Sequence, residues 1–260
     1  MSVEGGSVVF LHAHPDDEAI FTGGTMARLA AAGWRVVLVV ATGGELGLPV
    51  PGSASPEELC KWRMAETRVA AATLGAARVE FLGYRDSGLV DAPGELHEHA
   101  FVRAPTAQVA AALASLLEEE RASALVTYDE HGIYGHPDHV KVHQVGVAAA
   151  ERAATSVVYE ATVDREYLHF VETHLVAEAG RSVGQLGLAA TQLGVPTVAV
   201  STMVDVRPVL DVKRRAMTAH ASQIPETASA MRLPTEAFSA VYGYEWFLRN
   251  GPLGPLETLT

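Results

Sequence analysis

Ionisable side chains are concentrated near the start of the chain in His12-Ala13-His14-Pro15-Asp16-Asp17-Glu18, which directly follows an apolar run. Imidazoles and carboxylates packed at the end of a strand would repel one another, or lose their charge through burial, unless a cation or solvent compensated them. A divalent metal ion supplies that compensation. A solvated turn in which Asp16 and Asp17 cap the following helix is the structural alternative. The segment is therefore a candidate metal site.

A second segment of the same character follows another apolar run and repeats the His-Pro-Asp triplet of the first. It reads Tyr128-Asp129-Glu130-His131-Gly132-Ile133-Tyr134-Gly135-His136-Pro137-Asp138-His139. Proline at the first position of a helix leaves Asp138 and His139 in the opening turn, where the helix dipole favours a carboxylate. If the two apolar runs are neighbouring parallel strands, both segments meet at one edge of the sheet and can share one ion.

Two imidazoles and one carboxylate form the ligand set typical of catalytic zinc, which keeps an open position for water and substrate. Non-haem iron(II) takes the same set, so the ligands alone leave the metal open. Zinc is favoured because hydrolysis needs no redox chemistry. Zinc lowers the pKa of bound water from about 16 to about 7, and a neighbouring carboxylate can then take a proton. Asp16, which adjoins a candidate ligand yet is free, is the candidate for that base.

The rest of the sequence alternates β-branched runs with segments of helical spacing. Strands are predicted at 8–12, 36–42, 79–83, 124–128, 157–159 and 197–201, and helices at 19–32, 56–74, 105–120 and 137–153. Such alternation implies crossover connections and a mainly parallel sheet. We predict a Rossmann-like, doubly wound α/β fold with helices on both faces. It forms one domain over residues 1–260, with a helical return and tail from about residue 204.

The composition limits the classes of partner. The net charge is −12, from 31 acidic and 19 basic residues, which is the wrong sign for nucleic acid or an anionic membrane surface. The single cysteine, Cys60, excludes an intrachain disulfide and a cysteine-based zinc site. No apolar run reaches the roughly 18 residues of a membrane span, and residues 1–6 lack a signal-peptide pattern. We expect a soluble, cytoplasmic protein with a small-molecule partner; homo-oligomerisation is left open.

Four motifs together resemble the LmbE-like or PIG-L-like family of zinc-dependent N-acetylglucosaminyl deacetylases. They are Ala13-His14-Pro15-Asp16-Asp17-Glu18, Phe81-Leu82-Gly83-Tyr84-Arg85-Asp86-Ser87-Gly88, Tyr134-Gly135-His136-Pro137-Asp138-His139, and Lys213-Arg214-Arg215-Ala216-Met217 followed by His220 and Gln223. The motifs span nearly the whole chain. The resemblance implies that zinc is held by His14, Asp17 and His139. It also implies that Asp16 is the general base.

The same resemblance implies roles for further residues. His136 lies beside the reacting carbonyl, where it donates to the oxyanion or the leaving amine, and Asp138 orients it. Tyr134 helps to polarise the carbonyl. Three residues match positions that line the sugar pocket: Glu45, Arg63 and Asp86. Arg63 could instead be an ordinary charge on the surface of its helix.

The remaining histidines have structural explanations. His143 lies four residues after a candidate ligand, a spacing that can chelate on a helix, but a ligand from another strand already completes the site. His12 fits a buried strand end with a hydrogen bond to the backbone, or support of the metal ligands. His97 and His99 fall in a polar loop. His220 fits either a helix face or the rim of the pocket.

The predicted function is hydrolysis of the amide of an N-acylated amino sugar, of the N-acetylglucosaminide type, by water that zinc and Asp16 activate. An amidase acting on a bulkier N-acyl conjugate, such as a mycothiol conjugate or an acylated antibiotic sugar, is the alternative within enzymes. A non-catalytic metal-dependent sugar-binding module would lack a base and an oxyanion partner, whereas Asp16, His136 and Tyr134 supply them. A non-haem iron oxygenase, the third alternative, would need an oxidant.

Overall fold

A computed structural model of the chain describes residues 6–50, 55–89, 96–171, 173 and 193–260. In these residues the strands are β1 Ser7–His12, β2 Arg35–Thr42, β3 Arg78–Tyr84, β4 Ala122–Tyr128, β5 Val158–Thr162, β6 Thr202–Asp205 and β7 Tyr244–Asn250. They form one seven-stranded sheet in the order β3-β2-β1-β4-β5-β7-β6. The first five strands pair in parallel, and β7 runs antiparallel to both of its neighbours. The predicted doubly wound α/β fold with a mainly parallel sheet is confirmed.

Helices connect these strands. In the described residues the α-helices are α1 Gly23–Ala31, α2 Pro56–Leu74, α3 Thr106–Glu119, α4 Gly132–Gly135, α5 Pro137–Ala153, α6 Arg165–Phe170, α7 Leu210–Ala219, α8 Ser229–Arg232 and α9 Thr235–Tyr242. Helices α1, α2 and α7 pack on one another, and α3 packs on α5. Crossovers between parallel strands are right-handed. Because the chain moves from β1 toward β3 in one direction and from β4 toward β5 in the other, the two groups of helices lie on opposite faces of the sheet.

The two central strands of the N-terminal half are buried on both faces. Every residue of β1 is buried, and in β2 only the first residue is exposed. A strand covered by helices on both sides needs apolar side chains throughout, which explains the continuous rather than alternating pattern of these runs. Helix α2 also follows its sequence signals: Ser55 caps its start, Pro56 occupies its first position, and Gly75 ends it with φ +81°.

The C-terminal part differs from the sequence-based prediction. The strand predicted at 197–201 is wrong: Thr197–Ala199 forms a 3-10 turn, and β6 begins at Thr202. Strand β7 was not predicted at all, because a buried carboxylate interrupts its apolar pattern. Glu245 is 2% exposed. It accepts hydrogen bonds from the backbone of Gly24 and Thr25 at 2.8 Å and from Lys213 at 2.7 Å. These contacts join β7 to the start of α1.

The predicted helix at 19–32 is divided into two parts. A π-helical turn covers Glu18–Thr22, and α1 begins at Gly23. Short π-helical segments often occur at functional sites because they shift side chains out of the regular helical register. Across the described parts of the chain, no helix combines the length and apolar character needed to cross a membrane.

The C-terminal turn Pro255–Leu259 is fixed to the sheet by one carboxylate, that of Glu257. Its hydrogen-bond donors are Tyr159, Thr202, Arg249 and the backbone of Gly254. Burial acts to raise the pKa of Glu257, but these donors lower the pKa to about 2. Because the folded-state pKa lies below the ordinary value of 4.5, the stabilisation is fully present above that pH and is lost as the pH falls toward 2.

We therefore expect Glu257→Gln to lower the melting temperature by roughly 2–4 °C at pH 7 and by less at pH 3. Thermal unfolding followed by circular dichroism at the two pH values measures this difference. Glu118→Gln, which changes an exposed carboxylate of α3, serves as the matched control and should leave the melting temperature unchanged at both. An equal loss at pH 7 and pH 3 would contradict the assigned charge effect.

Candidate metal centre and active site

The two ionisable segments meet at the carboxyl edge of the sheet. Strands β1 and β4 are neighbours at its centre. The strand order reverses between them, because the chain runs from β1 to β2 and β3 on one side and from β4 to β5 on the other. Loops that leave such a switch point diverge and form a crevice, where ligands bind in open α/β sheets. Residues 13–17 follow β1 and residues 129–139 follow β4, so both lie at this crevice.

Three donor atoms form a small triangle in the crevice. His14 Nδ1 lies 3.3 Å from Asp17 Oδ2, His139 Nε2 lies 3.3 Å from the same oxygen, and the two nitrogens are 3.3 Å apart. All three residues are buried, at 7%, 4% and 0% exposure. Ligand atoms at about 2.05 Å from a tetrahedral ion are separated by about 3.35 Å. The triangle therefore has the dimensions of three corners of a tetrahedral zinc site.

The charges around the triangle also suit a cation. Burial acts to raise the pKa of Asp17, but the contacts with His139 and His14 lower it well below its ordinary value, so this carboxylate is held ionised. Burial likewise opposes a charge on His14. Hydrogen bonds with Asp138, Asp17 and Asp86 nevertheless raise the pKa of His14 well above its ordinary value. Three buried carboxylates thus favour positive charge at this place, and a divalent ion can supply it.

The second nitrogen of His14 is held by a carboxylate. His14 Nε2 lies 3.2 Å from Asp138 Oδ2, and Asp138 is fully buried. The same carboxylate accepts from the backbone N–H of Ser87 at 2.9 Å and from its hydroxyl. A carboxylate behind a histidine ligand fixes the tautomer and orientation of the imidazole. Ser87, which lies within the quoted motif but was given no role from sequence, therefore belongs to the support of the site.

The main chain of Asp138, and not its carboxylate, contacts His136. The carboxylate of Asp138 contacts His14, and it is the backbone N–H of Asp138 that donates to His136 Nδ1, at 3.1 Å. Since Nδ1 accepts this bond, the proton of the neutral ring is on Nε2. Burial, with smaller effects from the charges of His14 and His139, lowers the pKa of His136 to about 4. The side chain is therefore a neutral donor at physiological pH.

Other donor combinations are present in the described residues. One consists of His14, His136 and His139, and another of His14, Asp86, His136 and Asp138; within each, one donor atom per residue lies within 4.8 Å of the others. In both sets some donors already have partners, because His136 Nδ1 accepts from the backbone and Asp138 accepts from Ser87. In the triangle of His14, Asp17 and His139 the three donor atoms lie 3.3 Å from one another, although Asp17 Oδ2 also accepts from the backbone N–H of His14 at 2.9 Å.

Tyr134 lies above the triangle on a strained loop. Its hydroxyl oxygen is 3.3 Å from His139 Nε2. The preceding residue, Ile133, has φ +64°, a conformation that is unfavourable for a β-branched side chain. Asp129 holds this loop by accepting from the backbone N–H groups of His131 at 3.0 Å and Ile133 at 2.9 Å. Asp129 was given no role from sequence, although an aspartate followed by Gly132 is typical of such turns.

Asp16 has the environment of a base. Its φ is +100°, which is rare for a residue with a side chain and is typical of functional sites. Burial raises the pKa of Asp16 to about 6, although the charge of Arg63, whose Nη2 lies 3.3 Å from Asp16 Oδ2, acts to lower it. A carboxylate with a pKa near 6 is ionised at neutral pH and is a stronger base than a solvated one.

The three predicted sugar-pocket residues lie around the same crevice, and each has protein partners. Arg63 is 4% exposed, so it is not a surface charge; it donates to the backbone oxygens of Pro15 and Gly44. Its Nε is buried and has no partner in the described part of the chain. Asp86 Oδ1 lies 3.6 Å from His14 Nε2.

Glu45 is also buried, at 6% exposure. Its Oε1 lies 2.9 Å from Arg85 Nε and 3.2 Å from the backbone nitrogen of Asp86. It therefore joins the loop after β2 to the loop after β3. Through these contacts the carboxylate of Glu45 helps to fix the shape of the crevice.

Three further histidines of the described residues, His12, His143 and His220, have partners outside the donor triangle. His12 is buried between the hydroxyls of Tyr128 and Thr22, at 2.8 Å from each, so its partners are side chains and not the expected backbone. His143 Nδ1 lies 3.0 Å from the backbone oxygen of Tyr128. His220 is buried, and its Nε2 lies 2.5 Å from Glu18 Oε1. His220 therefore lies neither on an exposed helix face nor at the rim of the pocket, the two places predicted for it from the sequence.

Fold and site together define a doubly wound α/β protein with a buried His/Asp cluster able to hold a metal ion. The model of the PIG-L family, described as GlcNAc-PI de-N-acetylase, matches residues 9–150. This is more than half of the 260-residue chain, and the chain belongs to this family. It is accordingly a hydrolase of the deacetylase class, which acts on amide bonds.

Named relatives agree with this assignment. The 1D-myo-inositol 2-acetamido-2-deoxy-alpha-D-glucopyranoside deacetylase of Thermomonospora curvata is 37% identical over an alignment 280 positions long, gaps included, which covers 95% of this chain and 92% of the relative. The relative of the same name from Rhodococcus erythropolis is 35% identical, with 98% and 95% covered. The alignments therefore extend well beyond the region that the family model matches.

Solved structures support the fold. N,N'-diacetylchitobiose deacetylase from Pyrococcus horikoshii superposes with a TM-score of 0.60 at 23% identity, covering 95% of this chain and 84% of that one. This level of identity demonstrates a shared architecture. The deacetylase class itself rests on the family match and on the relatives of higher identity.

Proposed function

We propose that the chain is a zinc-dependent N-deacetylase of an N-acetylglucosaminide, with the metal held by His14, Asp17 and His139. The observation that carries the proposal is the 3.3 Å triangle of these three donors, beside a base that is not one of them. Zinc is preferred to iron(II) because three corners of a tetrahedron with nitrogen and oxygen donors suit zinc, and amide hydrolysis needs no redox change.

A divalent ion at these donors supplies Lewis acidity, which acidifies water and polarises a carbonyl oxygen. Asp16 takes a proton from the water that attacks the acyl carbon, since its carboxylate is ionised and desolvated. Tyr134 donates from its hydroxyl to the carbonyl oxygen as negative charge develops there. His136, a neutral imidazole, donates a hydrogen bond from Nε2 to the same oxyanion or to the departing nitrogen. The proton that leaves with the amine is the one that Asp16 took from the water. The products are a carboxylate and an amine.

Asp138 has a positioning role in this scheme. Its carboxylate orients the ligand His14, and its backbone N–H fixes the tautomer of His136. One residue thus sets the direction of both the metal-binding nitrogen and the proton donor. The family resemblance implied that Asp138 orients His136; the support of His14 by its carboxylate is a second contact of the same residue.

The substrate is assigned from the relatives together with the crevice. The relatives are named for an inositol-linked acetamido sugar, and we propose an acetamido sugar of this class for this chain. Glu45, Arg63 and Asp86 are the proposed sugar contacts.

A specific observation favours a second substrate class, in which the acyl group or the aglycone is bulky and apolar. A cavity of about 180 Å³ lies at the same edge of the sheet, at the end of β5. Its lining includes Ile20, Phe21, Val163, Leu168, Leu233 and Trp246. The ring centroid of Phe21 is 6.3 Å from that of His139, so this cavity adjoins the metal centre and could receive such a group.

The proposal is tested by incubating the purified protein with zinc and acylated amino sugars and measuring the free amine released. We expect release from an α-linked N-acetylglucosaminide of inositol, and comparison with a matched N-hexanoyl sugar reports on the apolar cavity. A higher kcat/KM for the hexanoyl substrate would favour the second class. Absence of free amine from every acylated sugar, with zinc bound, would refute the hydrolase assignment in favour of a binding module.

A further inference from the structure

The motif at the end of α7 has no part in the proposed chemistry, yet it lies directly behind the catalytic base. It ends in the turn His220-Ala221-Ser222-Gln223. His220 is 0% exposed, and its Nε2 lies 2.5 Å from Glu18 Oε1. The other nitrogen, Nδ1, is buried without a partner in the described residues. Among the described residues, the carboxylate of Glu18 is therefore the one hydrogen-bond partner of this imidazole.

That carboxylate in turn holds the base. Glu18 is 0% exposed, and its second oxygen, Oε2, accepts from the backbone N–H of Asp16 at 3.0 Å. The bond constrains the residue whose φ is +100°, a strained conformation that persists only where the surroundings impose it. Hydrogen bonds thus lead from His220 through Glu18 to the main chain of the base.

The turn that carries His220 is itself fixed on both sides. Ser222 donates from its backbone nitrogen to Glu66 of α2 at 2.8 Å and also from its hydroxyl. Gln223 pairs with the backbone of Leu48 in both directions: Leu48 N–H donates to Oε1 at 2.7 Å, and Nε2 donates to the Leu48 oxygen at 3.1 Å. Three residues of this turn, His220, Ser222 and Gln223, therefore contact the segment after β1, α2 and the loop after β2.

We propose that His220 is a positioning residue that acts through Glu18 to hold the backbone of Asp16 in its strained, catalytically competent conformation. The inference rests on the proposed function, in which Asp16 is the base. A carboxylate buried as deeply as Glu18 needs a partner for each oxygen, since an unpaired buried charge is costly. Without His220, Glu18 would have to turn toward another donor and would release the N–H of Asp16.

A matched pair of substitutions tests this role. In His220→Gln the amide nitrogen can occupy the place of Nε2 and keep the bond to Glu18, whereas in His220→Asn the side chain ends at the place of Nδ1 and cannot reach. We expect His220→Gln to retain kcat within about threefold. We expect His220→Asn to lower kcat by about 10²-fold, the scale of a misplacement of about 1 Å. KM and the zinc content should stay at parental values in both.

A second variant changes Glu18, the other partner in the contact with His220. Glu18→Gln presents an amide to two donors and should lower kcat in the same way. Adding His220→Asn to it should cause little further loss, because both changes act on one contact. A crystal structure of His220→Asn should also show Asp16 outside the left-handed region. Should either single variant prove insoluble, the other carries the test.

The outcomes separate this inference from the proposed function. Equal kcat values for His220→Gln and His220→Asn, parental kcat in Glu18→Gln, or multiplicative losses in the double variant would overturn the positioning role. Loss of zinc from His220→Asn would also overturn it in favour of a structural role. If the parent chain itself releases no amine, the proposed function fails; the conformation of Asp16 in the variant crystal then still reports on the contact.

Discussion

Asp16→Asn will lower the rate of amide hydrolysis by about 10²-fold or more while the metal stays bound. The substitution removes the basic oxygen but keeps the size of the side chain. Asparagine also tolerates left-handed backbone angles better than alanine does, which matters because Asp16 has φ +100°. Asp16→Ala should lose the same activity but also lower the melting temperature. Turnover under saturating substrate and zinc content by atomic absorption measure the two effects.

Asp211→Asn provides the control for the loss of a negative charge, since Asp211 is exposed on α7. It should match the parent in turnover and in zinc content. Parental turnover in Asp16→Asn would show that another group accepts the proton. A loss of zinc from Asp16→Asn would instead assign Asp16 to the metal, contrary to the donor triangle.

His139→Ala has the second large expected effect, loss of stoichiometric zinc and of at least about 10³-fold in turnover. A metal ion contributes several kcal/mol to the charge developed in such a transition state, and each 1.36 kcal/mol is about tenfold in rate. Chelation of the parent should give the same loss, and added zinc should restore activity to the chelated parent alone. Metal content and turnover are measured together.

The chain offers matched controls for this variant. His143→Ala removes a histidine one turn later on α5, whose Nδ1 contacts the backbone of Tyr128, and should keep the zinc. His136→Ala should keep the zinc and lose activity. If His136→Ala loses the ion and an Asp17 variant retains it, the alternative set of His14, His136 and His139 binds the metal.

The sequence predicted the fold where local signals agree with the tertiary environment. Helix α2 carries a cap, a proline and a terminal glycine at the positions that the structure uses. Strands β1 and β2 are buried on both faces and are therefore apolar throughout. Strand β7 escaped prediction because Glu245 is buried in it to pair with Lys213 and the start of α1, a distant interaction that leaves no local pattern.

For the site, the sequence identified the segments but not how they support one another. Two similar motifs at two strand ends predicted that the two segments meet, and the family resemblance implied His14, Asp17 and His139 as the ligands among them. The link from His220 to Glu18 spans 202 residues, and no spacing rule predicts such a pair. The contact of Asp138 with His14 likewise spans 124 residues, so the sequence could not reveal which imidazole its carboxylate serves.

The distance along the chain between the two histidines of the triangle, 125 residues, has a consequence for biosynthesis. A growing polypeptide that has not yet reached His139 carries two of the three donors, His14 and Asp17, and can offer an ion a single imidazole of the triangle. Any ion that needs all three donors binds only after β4 has paired with β1, and it stabilises that state by mass action. Metal loading would thus follow assembly of the central sheet, and prematurely ended chains would be left without a cation.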